Sequence, residues 1–362
     1  MGLLQSDTRG VRPEEAMETR RSLRRDERGM ALLITVMTVS LLVAVTIQFH
    51  KTTWQQYLVA NNYRTAIQLG AIADSGLNIA VAVLENEGED NTSDSFLDSW
   101  AALDSEPFKD AFSGGNLRLK VVDLSGRLQI NSLVQKEGEN PGEEQTDSED
   151  KTNTEDVIRQ TFLNLLLSGF FPIEDEAEAR SIVDALIDWI DEDDQESDLG
   201  AESSYYQVLD KPYSCRNGPV RYIEELLLVK GITPLLLFGS GENKGLAEYL
   251  TVNGDDGRVN FNTAPLLVIK SFDPQIDDDL LVKLDEYRRE KENEESLASV
   301  GWHQNIVGWP GDIVINDKLL TITSTYFQIT ATGEFDTRSR SVVAVAERPG
   351  AGEVKLLGIK TE

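Results

Sequence analysis

Eighteen consecutive residues, Met30 to Ile47, carry no charge, and five arginines (Arg20, Arg21, Arg24, Arg25 and Arg28) stand just before them. As a helix, such a run rises about 27 Å at 1.5 Å per residue, close to one hydrocarbon thickness. Arginines crowding one end keep that end cytoplasmic and place the remaining chain on the far side. A cleavable secretory signal has a shorter apolar core and a small-x-small site at its far end. Here the far end reads VTIQFHKTTWQQYL, a poor site of that kind. At the near end, Gly29 separates the charged leader from Met30. A glycine offers a flexible, side-chain-free backbone that a peptidase at the cytoplasmic membrane face can engage.

The pattern continues past the run. From Thr52 to Glu87 there is no proline, and the only glycines are Gly70 and Gly76. Small or apolar residues recur at Ala66, Gly70, Ala73, Leu77, Ala80 and Leu84, at gaps of 4, 3, 4, 3 and 4. That spacing is one helix stripe. The sequence therefore predicts one helix from Met30 to Glu87, wholly apolar first and amphipathic second; the alternative is an anchor followed by a separate helix.

Beyond it the chain is strongly acidic, with a net charge of −29 that lies almost entirely after the apolar run. Such a surface repels nucleic acid and favours cationic partners or metal ions. The single cysteine, Cys215, permits no intrachain disulfide and reads as a small buried residue. Strand-like alternation appears at Asn116–Leu133, read as a β-hairpin turning at Ser125-Gly126. It returns near the end as two or three antiparallel strands. Residues 135–156 hold nine acidic side chains and almost no apolar one, and read as a disordered loop. The remainder of 134–310 is helical in pattern. The expected organisation is a leader (1–29), a long helix (30–87, with 30–47 transmembrane), an α/β domain (88–133 and 311–362) and an inserted helical domain (134–310).

Inside the insert, SGRLQINSL (Ser125–Leu133) is echoed by DGRVNFNTA (Asp256–Ala264). The segment from VNFNTAPLLVIKSF onward resembles the start of a helix-hairpin-helix unit, but SFDPQIDDD lacks its Gly-x-Gly and puts acid where phosphate would sit. A helix-packing module is the simpler reading.

DALIDWIDEDDQESDLGAE (Asp184–Glu202) gathers many carboxylates. Asp184, Asp188 and Asp191 share a helix face, and Asp193, Asp194, Asp198 and Glu202 follow in a loop. Their mutual repulsion, at a helix C-terminus where negative charge is unfavourable, is relieved by a hard cation. Numbered as an EF-hand loop from Asp191, oxygen-bearing side chains fall at the first (Asp191), third (Asp193), fifth (Gln195), seventh (Ser197) and twelfth (Glu202) places, but Glu196 stands where the turn requires glycine. An irregular Ca²⁺ loop is expected, with Asp188, Asp191, Asp193, Asp194, Asp198 and Glu202 as its candidates. A solvated acidic cap is one alternative; a carboxylate pair for glycoside hydrolysis is another, with only Trp189, Tyr205 and Tyr206 for sugar stacking. No phosphate loop, dinucleotide fingerprint or His/Cys/Ser constellation appears, and no enzymatic activity is expected.

Glycine before an apolar–amphipathic helix resembles the type IV pilin and pseudopilin class. RGMALLITVM (Arg28–Met37), DLSGRLQINSL (Asp123–Leu133), DWIDEDD with GAESSYY (Asp188–Tyr206), EELLLVKGI (Glu224–Ile232) and VNFNTAPLLVIKSF (Val259–Phe272) resemble, in order, the minor pseudopilin K family of type II secretion. The resemblance implies an α+β pilin-like fold: a long N-terminal helix packed on an antiparallel sheet, with a large inserted all-α domain. It implies prepilin-peptidase cleavage between Gly29 and Met30, methylation, and a single-pass inner-membrane anchor with the C-terminal part periplasmic. It also implies bound calcium, a tip complex with minor pseudopilins I and J upon the major pseudopilin, and a role in starting pseudopilus assembly for export across the outer membrane. Most pilins carry glutamate at the fifth mature position; Ile34 stands there instead, as suits a subunit with none beyond it. The leader to Gly29 is long for the class, and Met17 is an alternative start. A minor pilin of a type IV pilus or DNA-uptake machine shares the N-terminal pattern, but the acidic balance disfavours a nucleic-acid face.

Overall fold

The computed structural model describes residues 13–90, 92–104, 108–112, 114–134, 148–241, 243–313, 315–350 and 352–362. Helix α1 runs Pro13–Asp90. It starts well before the expected Met30, with proline at its first position, where the missing N–H has no intrahelical partner to lose. The chain divides into two compact units, Met1–Ile67 and Gln68–Glu362. In the first, every residue from Gly29 to Arg64 is exposed. Among the described residues one helix is long and apolar enough to cross a membrane, with a mean hydropathy of 2.5 in its most apolar window.

The second unit begins with the amphipathic end of α1. Leu69, Ile72, Ala73, Leu77, Ala80 and Leu84 are buried on one face. They share a core with Leu117, Leu119, Val121, Phe327, Ile329 and Val342 of a five-stranded sheet. Fully burying each leucine of this kind contributes about 1.5–3 kcal/mol. Two glycines permit the close approach: a Cβ at Gly76 would lie 2.5 Å from the Leu117 side chain, and one at Gly333 would lie 2.4 Å from the Leu69 carbonyl oxygen.

The sheet strands are β1 (Phe108–Phe112), β2 (Gly115–Asp123), β3 (Tyr326–Phe335), β4 (Arg338–Gly350) and β5 (Glu353–Thr361), each antiparallel to the next. The expected C-terminal strands are thus β3 to β5. The expected hairpin at Asn116–Leu133 is not formed. Strand β2 pairs with β1 and β3, and Leu128–Gln129 pairs instead in parallel with Leu250–Thr251. Ser125-Gly126 is where the chain departs from the sheet. The excursion is wider than the expected 134–310: it begins after Asp123 and returns at Tyr326, and its ends meet where Leu124 N–H donates to the Tyr326 carbonyl at 2.8 Å.

The insert has its own core, running from Leu128 to Leu320. It is mainly helical, with α2 (Ser148–Leu166) and α3 (Glu176–Ile190) as its longest elements, plus three two-residue bridges. The stretch expected to be a disordered acidic loop is helical from Ser148 onward; its residues 135–147 lie outside the described residues. Acidic residues concentrated in the first turns of a helix are favoured by its dipole, so this charge is compatible with helix. The repeated GR motif has a structural role. Val259–Asn260 of the second copy forms a parallel bridge to Leu320–Thr321, as Leu128–Gln129 of the first does to Leu250–Thr251. Each copy then buries an asparagine that ties distant loops: Asn131 Nδ2 donates to the carbonyls of Val220 and Val252, and Asn262 Nδ2 to those of Asp94 and Leu297.

A buried polar network fills the joint between sheet and insert. Asp94 accepts from Arg348 Nη2 and from Ser324 N–H at 2.6 Å. Asp123 Oδ1 accepts from Ser125 N–H at 2.7 Å, and its Oδ2 from Thr263, Ser324 and Asn260.

Candidate metal centre

Helix α3 is opened by Asp175, whose side chain accepts from Glu178 N–H at 2.9 Å. Its apolar stripe, including Ile182, Val183, Leu186 and Ile190, faces the insert core. The intervening positions carry Asp184 and Asp188, one turn apart and both buried. The loop after the helix folds back over them. Asp184 Oδ1 pairs with Arg159, and its Oδ2 accepts from Leu199 N–H at 3.2 Å. Asp188 accepts from Ser197 N–H at 3.2 Å and from Ala201 N–H at 2.7 Å. Gly200 makes this cradle possible: a Cβ there would stand 1.9 Å from Asp188 Oδ2. Cys215 is buried beneath, its Sγ donating to the Asp188 carbonyl at 3.3 Å.

This folding brings three of the expected residues together. One carboxylate oxygen each from Asp188, Asp191 and Glu202 lies within 4.8 Å of the others. Asp191 caps the helix end, and Glu202 opens the turn Ser203–Tyr206, where its Oε2 accepts from Ser203 N–H at 3.2 Å. Asp191 Oδ1 and Glu202 Oε1 are buried and have no hydrogen-bond partner. Burial, reinforced by Asp193, Asp188 and Asp194, pushes the Asp191 carboxyl up to about 6. Burial, reinforced by Asp191, Asp188 and Asp194 against a single hydrogen bond from Ser203, pushes Glu202 up to about 7. Crowded carboxylates with unpartnered oxygens fit a hard divalent cation, whose charge removes the repulsion and whose coordination sphere takes the free oxygens.

The other three candidates are placed differently. Asp193 is exposed and turns onto its own loop, accepting from Gln195 N–H at 2.7 Å. Asp194, also exposed, accepts from Asn217 Nδ2 at 3.2 Å. Asp198 is exposed. Of the EF-hand frame, then, the first and twelfth positions converge, and Asp188 joins them from the preceding helical turn. Sequence reasoning passed over Asn217. It sits at a left-handed φ of 48°, donates to the Asp193 carbonyl at 2.7 Å, and leaves its buried Oδ1 unpartnered. The Asn-Gly dipeptide at 217–218 was the available signal, because that pair marks a turn with positive φ.

The N-terminal candidates lie on the exposed part of α1. Gly29 has nothing within 4 Å of where a Cβ would be, and Met30 and Ile34 are about equally solvent-facing, at 62% and 61%.

The family model described as type II secretion system (T2SS), protein K, matches residues 126–238, the part of the chain that contains α3 and the carboxylate loop. Type II secretion system protein K of Pseudomonas aeruginosa is 28% identical over 258 residues, covering 68% of either chain. The protein of the same name from Aeromonas hydrophila is 27% identical over 330 residues, covering 87% of this chain and 92% of that one. The fold is similar to that in the crystal structure of the GspK-GspI-GspJ complex from the enterotoxigenic Escherichia coli type 2 secretion system, with a TM-score of 0.58 and 16% identity over 85% of this chain and 99% of that one. The long helix, the antiparallel sheet, the helical insert and these sequence matches agree in their direction: the chain is similar in sequence and in fold to protein K of type II secretion systems.

Proposed function

We propose that this chain is the minor pseudopilin at the tip of a type II secretion pseudopilus, where it starts assembly together with minor pseudopilins I and J and supports protein export across the outer membrane. The observation that carries the reading is the division of labour along α1: Met30 to Ile47 is uncharged and exposed, while one face from Leu69 to Leu84 is buried on the sheet. A purely soluble domain has no use for eighteen exposed uncharged positions, fourteen of them apolar, whereas a subunit that waits in a membrane and then packs its helix among others needs them. In this reading prepilin peptidase cuts between Gly29 and Met30, the run anchors the mature protein in the inner membrane, and the folded part is periplasmic. Ile34 in place of a carboxylate removes the group that would pair with the N-terminal amine of a neighbouring subunit. Asp188, Asp191 and Glu202 hold Ca²⁺, which supplies charge neutralisation and pins the loop after α3 to the helix end. The acidic surface disfavours the DNA-uptake alternative.

Intact-mass measurement of the mature protein, in cells with and without the prepilin peptidase, tests this. A peptidase-dependent start at Met30 is expected. An N-terminus upstream of Gly29 that ignores the peptidase would remove the pseudopilin assignment.

A further inference from the structure

The segment after the apolar run is unlike either the run or the sheet-packed stripe. From Met30 to Tyr63 the only charged side chain is Lys51. Gln48, Thr52, Thr53, Gln55 and Gln56 make most of the helix surface beyond Ile47 polar but uncharged. Among them Trp54 and Tyr57, one turn apart, stack with ring centroids 5.8 Å apart and are 54% and 59% exposed. Ile47, His50, Trp54 and Tyr57 follow one another at spacings of three or four, so they form a continuous seam up the helix.

Length arithmetic places this seam. A hydrocarbon layer about 30 Å thick is filled by about twenty helical residues. Counted from Met30, Trp54 stands about 36 Å along the axis and Tyr57 about 40 Å. A tilt of about 20° lowers these to about 34 and 38 Å. Headgroups occupy roughly the next 5–8 Å beyond the hydrocarbon. Amphipathic aromatic rings and a long-stemmed lysine are the side chains that favour this layer.

We propose that Trp54 and Tyr57, with Lys51, form a lipid-headgroup anchor on the far side of the bilayer, which fixes the depth at which the subunit waits before assembly. This rests on the membrane-anchor reading above. The partner is the phospholipid headgroup layer, with Lys51 directed to its phosphates.

The test uses the full chain reconstituted in phosphatidylcholine–phosphatidylglycerol vesicles, with flotation as an independent measure of membrane attachment. The emission of the native protein minus that of Trp54→Phe isolates Trp54, because Trp100, Trp189, Trp302 and Trp309 cancel. Vesicles brominated near the glycerol end of the acyl chain are expected to quench this difference signal about twofold more than vesicles brominated near the terminal methyl. The signal should also be blue-shifted from that of indole in water. Moving the reporter outward, in Trp54→Phe with Tyr57→Trp, should weaken quenching by both lipids. A chain that floats while Trp54 emits as if in water and is quenched by neither lipid overturns the headgroup anchor and leaves the seam for a neighbouring helix, with the membrane anchor intact. Stronger quenching by the terminal bromine would place Trp54 in the hydrocarbon and also overturn it. A chain that fails to float would overturn the anchor reading itself.

Discussion

Two groups of buried carboxylates stabilise the folded part in different ways. At the joint between sheet and insert, all four oxygens of Asp94 and Asp123 accept hydrogen bonds, from Arg348, two backbone N–H groups and the side chains of Thr263, Ser324 and Asn260. Near the end of α3, Asp191 Oδ1 and Glu202 Oε1 accept none. The first group is completed with donors from the chain itself. The second leaves two buried oxygens without them, which is the arrangement a hard cation would complete. Donor count, more than acidity, is what distinguishes the two groups.

The largest expected effect is at the joint. Arg348→Met strands Asp94 in a dry setting and should cost about 3–5 kcal/mol in denaturant unfolding, with or without calcium. A loss that depends on chelator would erase the distinction between the groups. The second effect is on pH. Burial lifts Asp123 from its ordinary 3.8 to about 6 despite the hydrogen bonds from Ser324, Thr263 and Ser125. Between those values the native state holds the proton more tightly than the unfolded state, so stability is greatest below the lower value and falls as pH rises towards 6. The fall from this group is about 3 kcal/mol. It should persist in saturating Ca²⁺ and disappear in Asp123→Asn, as read from denaturation midpoints across that range.

Calcium itself comes next. At a hundred times its dissociation constant it should stabilise the native chain by about 2.7 kcal/mol. In Asp191→Asn and Glu202→Gln this gain should vanish in thermal unfolding. In chelator, both variants should match or exceed the native protein, because each removes a repelling charge. Variants that are weaker than native in chelator would show that the site is held together by protein contacts alone. The smallest effect sharpens the ligand set: Asp198→Ala, at an exposed position, should alter the calcium-dependent gain by less than about 0.5 kcal/mol.

Much of this was legible in the sequence because it rests on period. Of the predicted stripe, Ala73, Leu77, Ala80 and Leu84 are buried as the spacing predicts while Ala66 and Gly70 at its start are half-buried, and the alternation after Leu320 gives the last three strands. Asp188, Asp191 and Glu202 were visible as a crowd of carboxylates, but proximity alone does not say which oxygens lack donors. That depends on the backbone of Ser197 to Ala201 folding over Asp188, which needs Gly200 and leaves no periodic trace. The strand partners of Leu128–Gln129 were invisible for a related reason. A two-residue parallel bridge to Leu250 is chosen by tertiary packing, while alternation alone suggested a hairpin. The helix from Ser148 was hidden by charge density, which composition rules equate with disorder although a helix start tolerates acid.

The hydrogen bond from Leu124 to the Tyr326 carbonyl shows that the insert, roughly 200 residues, leaves and re-enters the sheet at one point. Topologically it is a hairpin turn grown to the size of a domain. Ideal-chain closure grows only with the logarithm of length, so even as an unfolded loop it would cost the sheet about 3–4 kcal/mol more than a tight turn. Once folded, its two ends are already neighbours and that penalty largely disappears. The sheet can therefore accept an insert of almost any size between β2 and β3 without redesign of the helix and sheet that carry it.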